Sequence, residues 1–180
     1  GKLLMQANVT QIDRKEIIEQ AMRAGIERLL AMQTPSGGFA YWPGGTEVHV
    51  YASAYATWVL QLAAKAGHPV PEDALRRALD DLEKRLLGVR LADIPVDWGY
   101  NDGVRAAIGA HTLAEAGRDT SKPAAELYLR RQQLPLFARA FLLMALHRGD
   151  PQGPAVRTLT AELLGNIREL PATAHTGEDS

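Results

Sequence analysis

Apolar residues recur every three or four positions along most of the chain, and Gly/Pro punctuation divides it into about seven helical stretches. Asp13 with Glu16 three residues on has the form of a capping box, so the first helix is predicted from there, with Ile18, Met22, Gly25, Leu29 and Met32 on one apolar face. A second helix is predicted over 47–66. Val48, Tyr51, Ala52, Tyr55, Val59, Leu62 and Ala66 form one stripe, and Val50, Ala54 and Trp58 form another. Gly67 closes it and Pro71 opens a third, whose core face is Leu75, Ala78, Leu79, Leu82 and Leu86. The third helix carries Asp73/Arg77, Arg76/Asp80, Asp80/Lys84 and Asp81/Arg85 four apart on its other side, a solvated face worth about 0.3 kcal/mol per pair.

A fourth helix, 103–116, carries only Arg105 and Glu115 as charges, and a sixth, 136–147, only Arg139. Both are predicted to be buried nearly all round. A short fifth helix starts at Ser121 and Pro123, and a seventh, 155–169, sets Val156, Leu159, Leu163, Ile167 and Leu170 opposite Arg157, Glu162 and Glu169. Helices one, three, five and seven therefore have one apolar face, whereas two, four and six are apolar on several sides. That alternation predicts an all-α double layer in which hairpins place one-faced helices outside and the others inside, as in an α/α toroid or an α-solenoid. The turns around Gly67, Gly117 and Gly149 follow similar apolar runs, so the hairpins read as degenerate copies. Irregular spacing and long aromatic loops favour the toroid. No linker divides the 180 residues, which read as one domain, and the tail 171–180 lacks periodicity and is expected to be disordered.

A net charge of -1 argues against nucleic acid or an anionic membrane surface as partner, and no apolar run is long enough to insert into a membrane. The chain has no cysteine, which removes disulfides, thiolate metal sites and cysteine nucleophiles. His49, His68, His111, His147 and His175 are scattered without ligand spacing, so neither a metal nor a cofactor is expected. His68 and His147 suit helix C-termini, and His111, on a buried helix, reads as a hydrogen-bonded core residue.

Two irregular stretches hold the remaining candidate chemistry. The first, 33–45, runs Gln33-Thr34-Pro35-Ser36-Gly37-Gly38-Phe39-Ala40-Tyr41-Trp42-Pro43-Gly44-Gly45, with His49 close behind it. Phe39, Tyr41 and Trp42 are too apolar for a solvated loop and are expected to pack as plugs. The second, 88–102, holds Asp97 and Asp102 on either side of Trp98 and Tyr100. An acid pair beside aromatics suits a toroid enzyme of terpenoid-cyclase or glycosidase type, and Gln33 with Gly37, Gly38 and Phe39 resembles the glutamine-and-tryptophan repeat of triterpene cyclases. Against that, the chain has no Asp-x-Asp-Asp cluster, and an N-cap of the fourth helix explains Asp102 without catalysis.

Several runs together resemble the thioester-containing domain of bacterial α-2-macroglobulins, relatives of the complement proteins. They are Gly38-Phe39-Ala40-Tyr41-Trp42-Pro43-Gly44-Gly45, Ala52-Ser53-Ala54-Tyr55-Ala56-Thr57, Lys65-Ala66-Gly67 with Val70-Pro71, His111-Thr112-Leu113-Ala114-Glu115-Ala116-Gly117, and the run 130–136 with Ala138-Arg139-Ala140. The pieces occur in the family's order, over roughly residues 13–170. The resemblance implies a non-catalytic segment of an α/α toroid in a large protease inhibitor outside the cytoplasm, periplasmic or on the cell surface. Its implied partners are the other domains of the parent and, through the parent, target proteases. Members that bear the thioester form it from a Cys-x-Glu-Gln motif that this chain lacks. Gly1 followed by Lys2 reads as a boundary, so either the motif lies before Gly1 in a longer parent, which fits the family's order, or this member lacks it. The resemblance further implies that Phe39, Tyr41, Trp42 and His49 shield a neighbouring thioester from water. A complete ring holds more helices than the pattern predicts here, so exposed apolar faces are expected to drive self-association. A helical-repeat protein-binding module is the other alternative to the toroid enzyme.

Overall fold

The computed structural model describes residues 2–87 and 100–166, with side chains at 14–86 and 102–166. Among these residues the regular structure is helical: α1 (Lys2–Ala31), α2 (Val50–Lys65), α3 (Glu72–Leu87), α4 (Tyr100–Glu115), α5 (Ser121–Leu129), a 3-10 turn (Arg131–Gln133), α6 (Leu136–Gly149) and α7 (Pro154–Leu164). The only extended pairing there is an isolated bridge between Gln33 and Phe39. The tail and Asp97 lie outside the described residues.

The predicted alternation is visible in the packing. α4 lies between α2 and α6, forming an inner row; α3 packs on α2 and α4, α5 on α4 and α6, α7 on α6, and α1 on α2. With so few charges, α4 is buried from Val104 and Ala106 through Ala114, and Ile108 and Leu113 are among the largest fully enclosed side chains. Ala54, Leu82, Leu127, Leu142 and Leu159 from the surrounding helices complete this core. A second cluster joins Ile26, Phe39, Ala56, Leu60, Ala63 and Ala78, and ties the end of α1 to α2, α3 and the aromatic loop.

The turns after α2 and α4 are built alike. Gly67 and Gly117 have φ of +86° and +77°. In the first, His68 N–H donates to Ala63 C=O and Gly67 N–H to Ala64 C=O; in the second, Arg118 N–H donates to Leu113 C=O and Gly117 N–H to Ala114 C=O. Both are Schellman closures. The third turn departs from the copy, since Gly149 is the last residue of α6 and Asp150 follows as its cap.

Three expectations are corrected. α1 begins at Lys2, so Asp13 is inside the helix rather than capping it, and residues 14–25 are all exposed, including Ile18 and Met22. The helix is about 45 Å long, and among its described side chains those from Ile26 on meet the second core cluster. α6 is not buried all round: Ala138, Leu142 and Ala145 face the core, while Leu136, Phe137 and Met144 are exposed. On α3, Asp81 is buried rather than solvated, and its carboxylate accepts from Arg85 Nε at 2.6 Å and Nη2 at 3.1 Å. Asp80, expected opposite Lys84, accepts from Arg118 of the α4–α5 turn at 2.7 Å.

Candidate functional site: the aromatic loop

The chain reverses after α1 because Gln33, Thr34 and two glycines make a closed turn. Thr34 N–H donates to Gly38 C=O at 2.8 Å, and Thr34 Oγ1 donates to the same carbonyl at 3.0 Å. Gly37 has φ +103°, and a Cβ there would collide with the Arg77 carbonyl of α3. At Gly38 a Cβ would come within 2.5 Å of Asp81 Oδ2 and 2.7 Å of Val48 Cγ1. Both glycines are therefore required by close approach to α3. Gln33 fixes the same contact, its Nε2 donating to Ala74 C=O at 2.8 Å and to Gly37 C=O at 3.0 Å.

Phe39 is driven into the core, 1% exposed. Its backbone is satisfied as well: Phe39 N–H donates to Ser53 Oγ at 2.8 Å, and His49 N–H donates to Phe39 C=O at 2.8 Å. A buried amide without such partners would cost about 1–3 kcal/mol. His49 is the N-cap of α2, its Nδ1 accepting from Ala52 N–H at 3.2 Å.

Tyr41 and Trp42 do not plug anything. They are 62% and 71% exposed, and pack edge to face on each other with ring centroids 5.3 Å apart. The Tyr41 ring meets His49 in the same way at 5.3 Å. The structure thus brings together Phe39, Tyr41, Trp42 and His49, but divides them into one anchor below and three rings at the surface. These rings, with Glu47, line a hollow of about 420 Å3. Tyr41 and His49 also border an apolar groove of about 650 Å3 that runs between Leu29 at the end of α1, with Met32 just after it, and α2 (Tyr51, Tyr55, Val59).

Asp102, the other described candidate, lies in the first turn of α4 and pairs with Arg105 Nη2 at 3.1 Å. It is the third residue of the helix, a first-turn acid where a negative charge meets the positive end of the helix dipole, and not the N-cap itself.

His111 forms a separate cluster that the sequence does not announce. Its ring is 7% exposed and sits among Trp58 of α2 (centroids 6.5 Å apart) and Phe141 of α6 (5.6 Å). Its Nδ1 is buried with no hydrogen-bond partner, so the expected hydrogen-bonded core histidine is instead an aromatic-packed one. Burial lowers its pKa below the usual imidazole value, with Glu115 pulling it up and Lys65 pushing it down. Among the described residues no group of histidines and acids could hold a metal ion, and no helix is long and apolar enough to cross a membrane.

No family model matches the chain. It is 32% identical to Escherichia coli alpha-2-macroglobulin over 103 residues, which are 57% of this chain and 6% of that protein, so it spans a small part of its relative. Among solved structures, trypsin-activated alpha-2-macroglobulin from Escherichia coli superposes with a TM-score of 0.68 at 26% identity, over 80% of this chain and 10% of that one. Salmonella alpha-2-macroglobulin mutant Y1175G gives 0.69 at 25% identity, over 87% and 10%. The native Escherichia coli protein from domain MG7 to the C-terminus gives 0.69, over 86% and 24%; at 23% identity that likeness speaks to the fold. In sequence and in fold the chain is thus similar to one part of the bacterial alpha-2-macroglobulins.

Proposed function

We propose that this chain is a non-catalytic helical scaffold from the thioester domain of a bacterial alpha-2-macroglobulin-type protease inhibitor, a segment of an α/α toroid that works outside the cytoplasm. The observation that carries the reading is the two-layer order, with α2, α4 and α6 side by side and α3 and α5 each spanning two of them. The likeness to the alpha-2-macroglobulins supports it. With no cysteine, the chain cannot make a thioester from its own residues. Its contribution is to hold Tyr41, Trp42 and His49 over a thioester supplied by neighbouring sequence, with Phe39 as the anchor that fixes their loop. An acyl thioester persists only where water is kept away, and exposed rings on a glycine-locked turn are suited to cover a neighbour.

The test is made on the parent protein. A protease incubated with it and run on a denaturing gel is expected to appear as a covalent adduct, and Trp42→Ala is expected to speed spontaneous loss of the thioester, read as free thiol against time. A parent with an intact Cys-Gln pair that forms no adduct would overturn the reading; thiol release unchanged by Trp42→Ala and Tyr41→Ala would remove the shielding role.

A further inference from the structure

The surface hollow beside the loop has a chemistry that shielding does not use. Three aromatic rings, Tyr41, Trp42 and His49, stand around it, and Glu47 supplies a carboxylate. From Gln33 to Val50 the chain contains no lysine or arginine, and Glu47 forms no ion pair among the described residues. On the neighbouring α3, Asp73 meets Arg76 and Arg77, and Asp80 meets Arg118, so the cations there are already engaged. The hollow therefore offers a carboxylate and three exposed rings together, with no cation from its own loop. Ring faces attract a cation through their quadrupole, and a planar guanidinium can stack on a ring while donating to a carboxylate.

We propose that this hollow is a docking site for an arginine side chain carried on a segment of another protein domain. The adjoining groove says more about that segment. Because Tyr41 and His49 line both depressions, a chain that places its arginine over Trp42 and against Glu47 would lay the next large side chain between Met32, Tyr51 and Tyr55, which is apolar. The partner sequence is thus an arginine next to a leucine-like residue. The hydrogen bond from Ala52 N–H to His49 Nδ1 leaves the His49 proton on Nε2 and fixes the ring as a wall of the site. Binding at this site does not require a thioester, so it can fail or hold independently of the proposed function.

The experiment is a titration of this chain, labelled with nitrogen-15, with a short blocked peptide containing Leu-Arg-Leu, following the Trp42 indole N–H. Controls replace arginine with citrulline, which keeps the shape and removes the charge. A saturable shift of Trp42 is expected with arginine. It should weaken about threefold to fivefold with citrulline, the size of an exposed cation–π contact. Glu47→Gln should weaken the arginine peptide similarly and leave the citrulline peptide unaffected, and raised salt should act in the same direction. Trp42→Ala, followed through the backbone amides of Tyr41 and His49, should show no saturable shift, with unchanged helical circular dichroism. Equal affinity for both peptides, indifference to Glu47→Gln, or no shift at Trp42 would each overturn the proposal.

Discussion

Gln33 and Arg77 lock the aromatic loop to α3: Arg77 Nη2 donates to Gln33 Oε1 at 3.1 Å, while Gln33 Nε2 donates to the Ala74 carbonyl on the same helix. One side chain thus uses both ends of its amide on one helix, and the loop inherits the rigidity of α3. Gln33→Ala removes all of these contacts and leaves the Gly37 and Ala74 carbonyls short of a donor. The expected loss is about 1–3 kcal/mol in urea unfolding, with the dependence on denaturant unchanged.

The glycines of the same loop separate into two kinds. Gly37, at φ +103°, backs onto the Arg77 carbonyl, whereas Gly44, at φ +78°, has open space where a Cβ would go. Gly44→Ala should therefore cost only the left-handed backbone strain, about 1–2 kcal/mol. Gly37→Ala adds a collision with main chain that cannot move aside, and its thermal midpoint should fall well below that of Gly44→Ala. Equal midpoints would show that the loop does not sit against α3 as described.

Much of the double layer was legible because burial constrains charge. A stretch from 103 to 116 with Arg105 and Glu115 as its only charges had to be enclosed, and α4 is buried from Val104 to Ala114 apart from Arg105. The core face of α3 from Ala78 to Leu86 followed from its period for the same reason. Where sequence reading failed, the signal was real but answered to something else. Asp13 and Glu16 have capping-box spacing, yet that spacing also occurs inside helices, and α1 runs through it. Leu136, Phe137 and Met144 are as apolar as core residues, but whether a side chain is covered depends on what lies above it. Tyr41 and Trp42 are the same case in the loop. His49 was noticed for its position near the aromatics, while its role as a cap was hidden because Ser, Thr, Asp and Asn are the usual caps. His111 among the rings of Trp58 and Phe141 depended on how three helices meet, which no local pattern records.

The exposed side of the inner row leads to a prediction about association. Leu62, one turn beyond Trp58 on α2, and Met144, one turn beyond Phe141 on α6, are 46% and 42% exposed beside the Trp58–Phe141 contact at 5.0 Å. Large apolar side chains left uncovered favour association. The isolated chain is expected to show a weight-average mass that rises with concentration in sedimentation equilibrium, and Leu62→Glu with Met144→Glu is expected to restore a monomer. A wild-type chain that stays monomeric at high concentration would exclude this face as a self-docking surface.

His111 makes the inner row sensitive to acid. Its neutral ring fits between Trp58 and Phe141, and burial holds its folded-state pKa below the ordinary imidazole value of about 6.5. The unfolded chain therefore takes up a proton at a higher pH than the folded one. Stability contributed by the neutral ring is complete above about pH 6.5, declines as pH falls below that value, and stops declining once pH has passed the lowered folded pKa. The neighbouring charges set limits on the effect. Glu115, on α4, accepts from Lys65 of α2 and lies 3.7 Å from Arg148 Nε of α6, and these contacts lower its own pKa. It therefore remains a carboxylate as pH falls toward 5 and offsets part of the cost of an imidazolium nearby. The check is urea unfolding at pH 7.5 and 5.0 together with an NMR titration of His111. The wild type should lose stability between the two pH values, and His111→Asn, which carries no titrating group, should lose less. A His111 resonance titrating at or above the unfolded value would show that the ring is not held neutral between the aromatics.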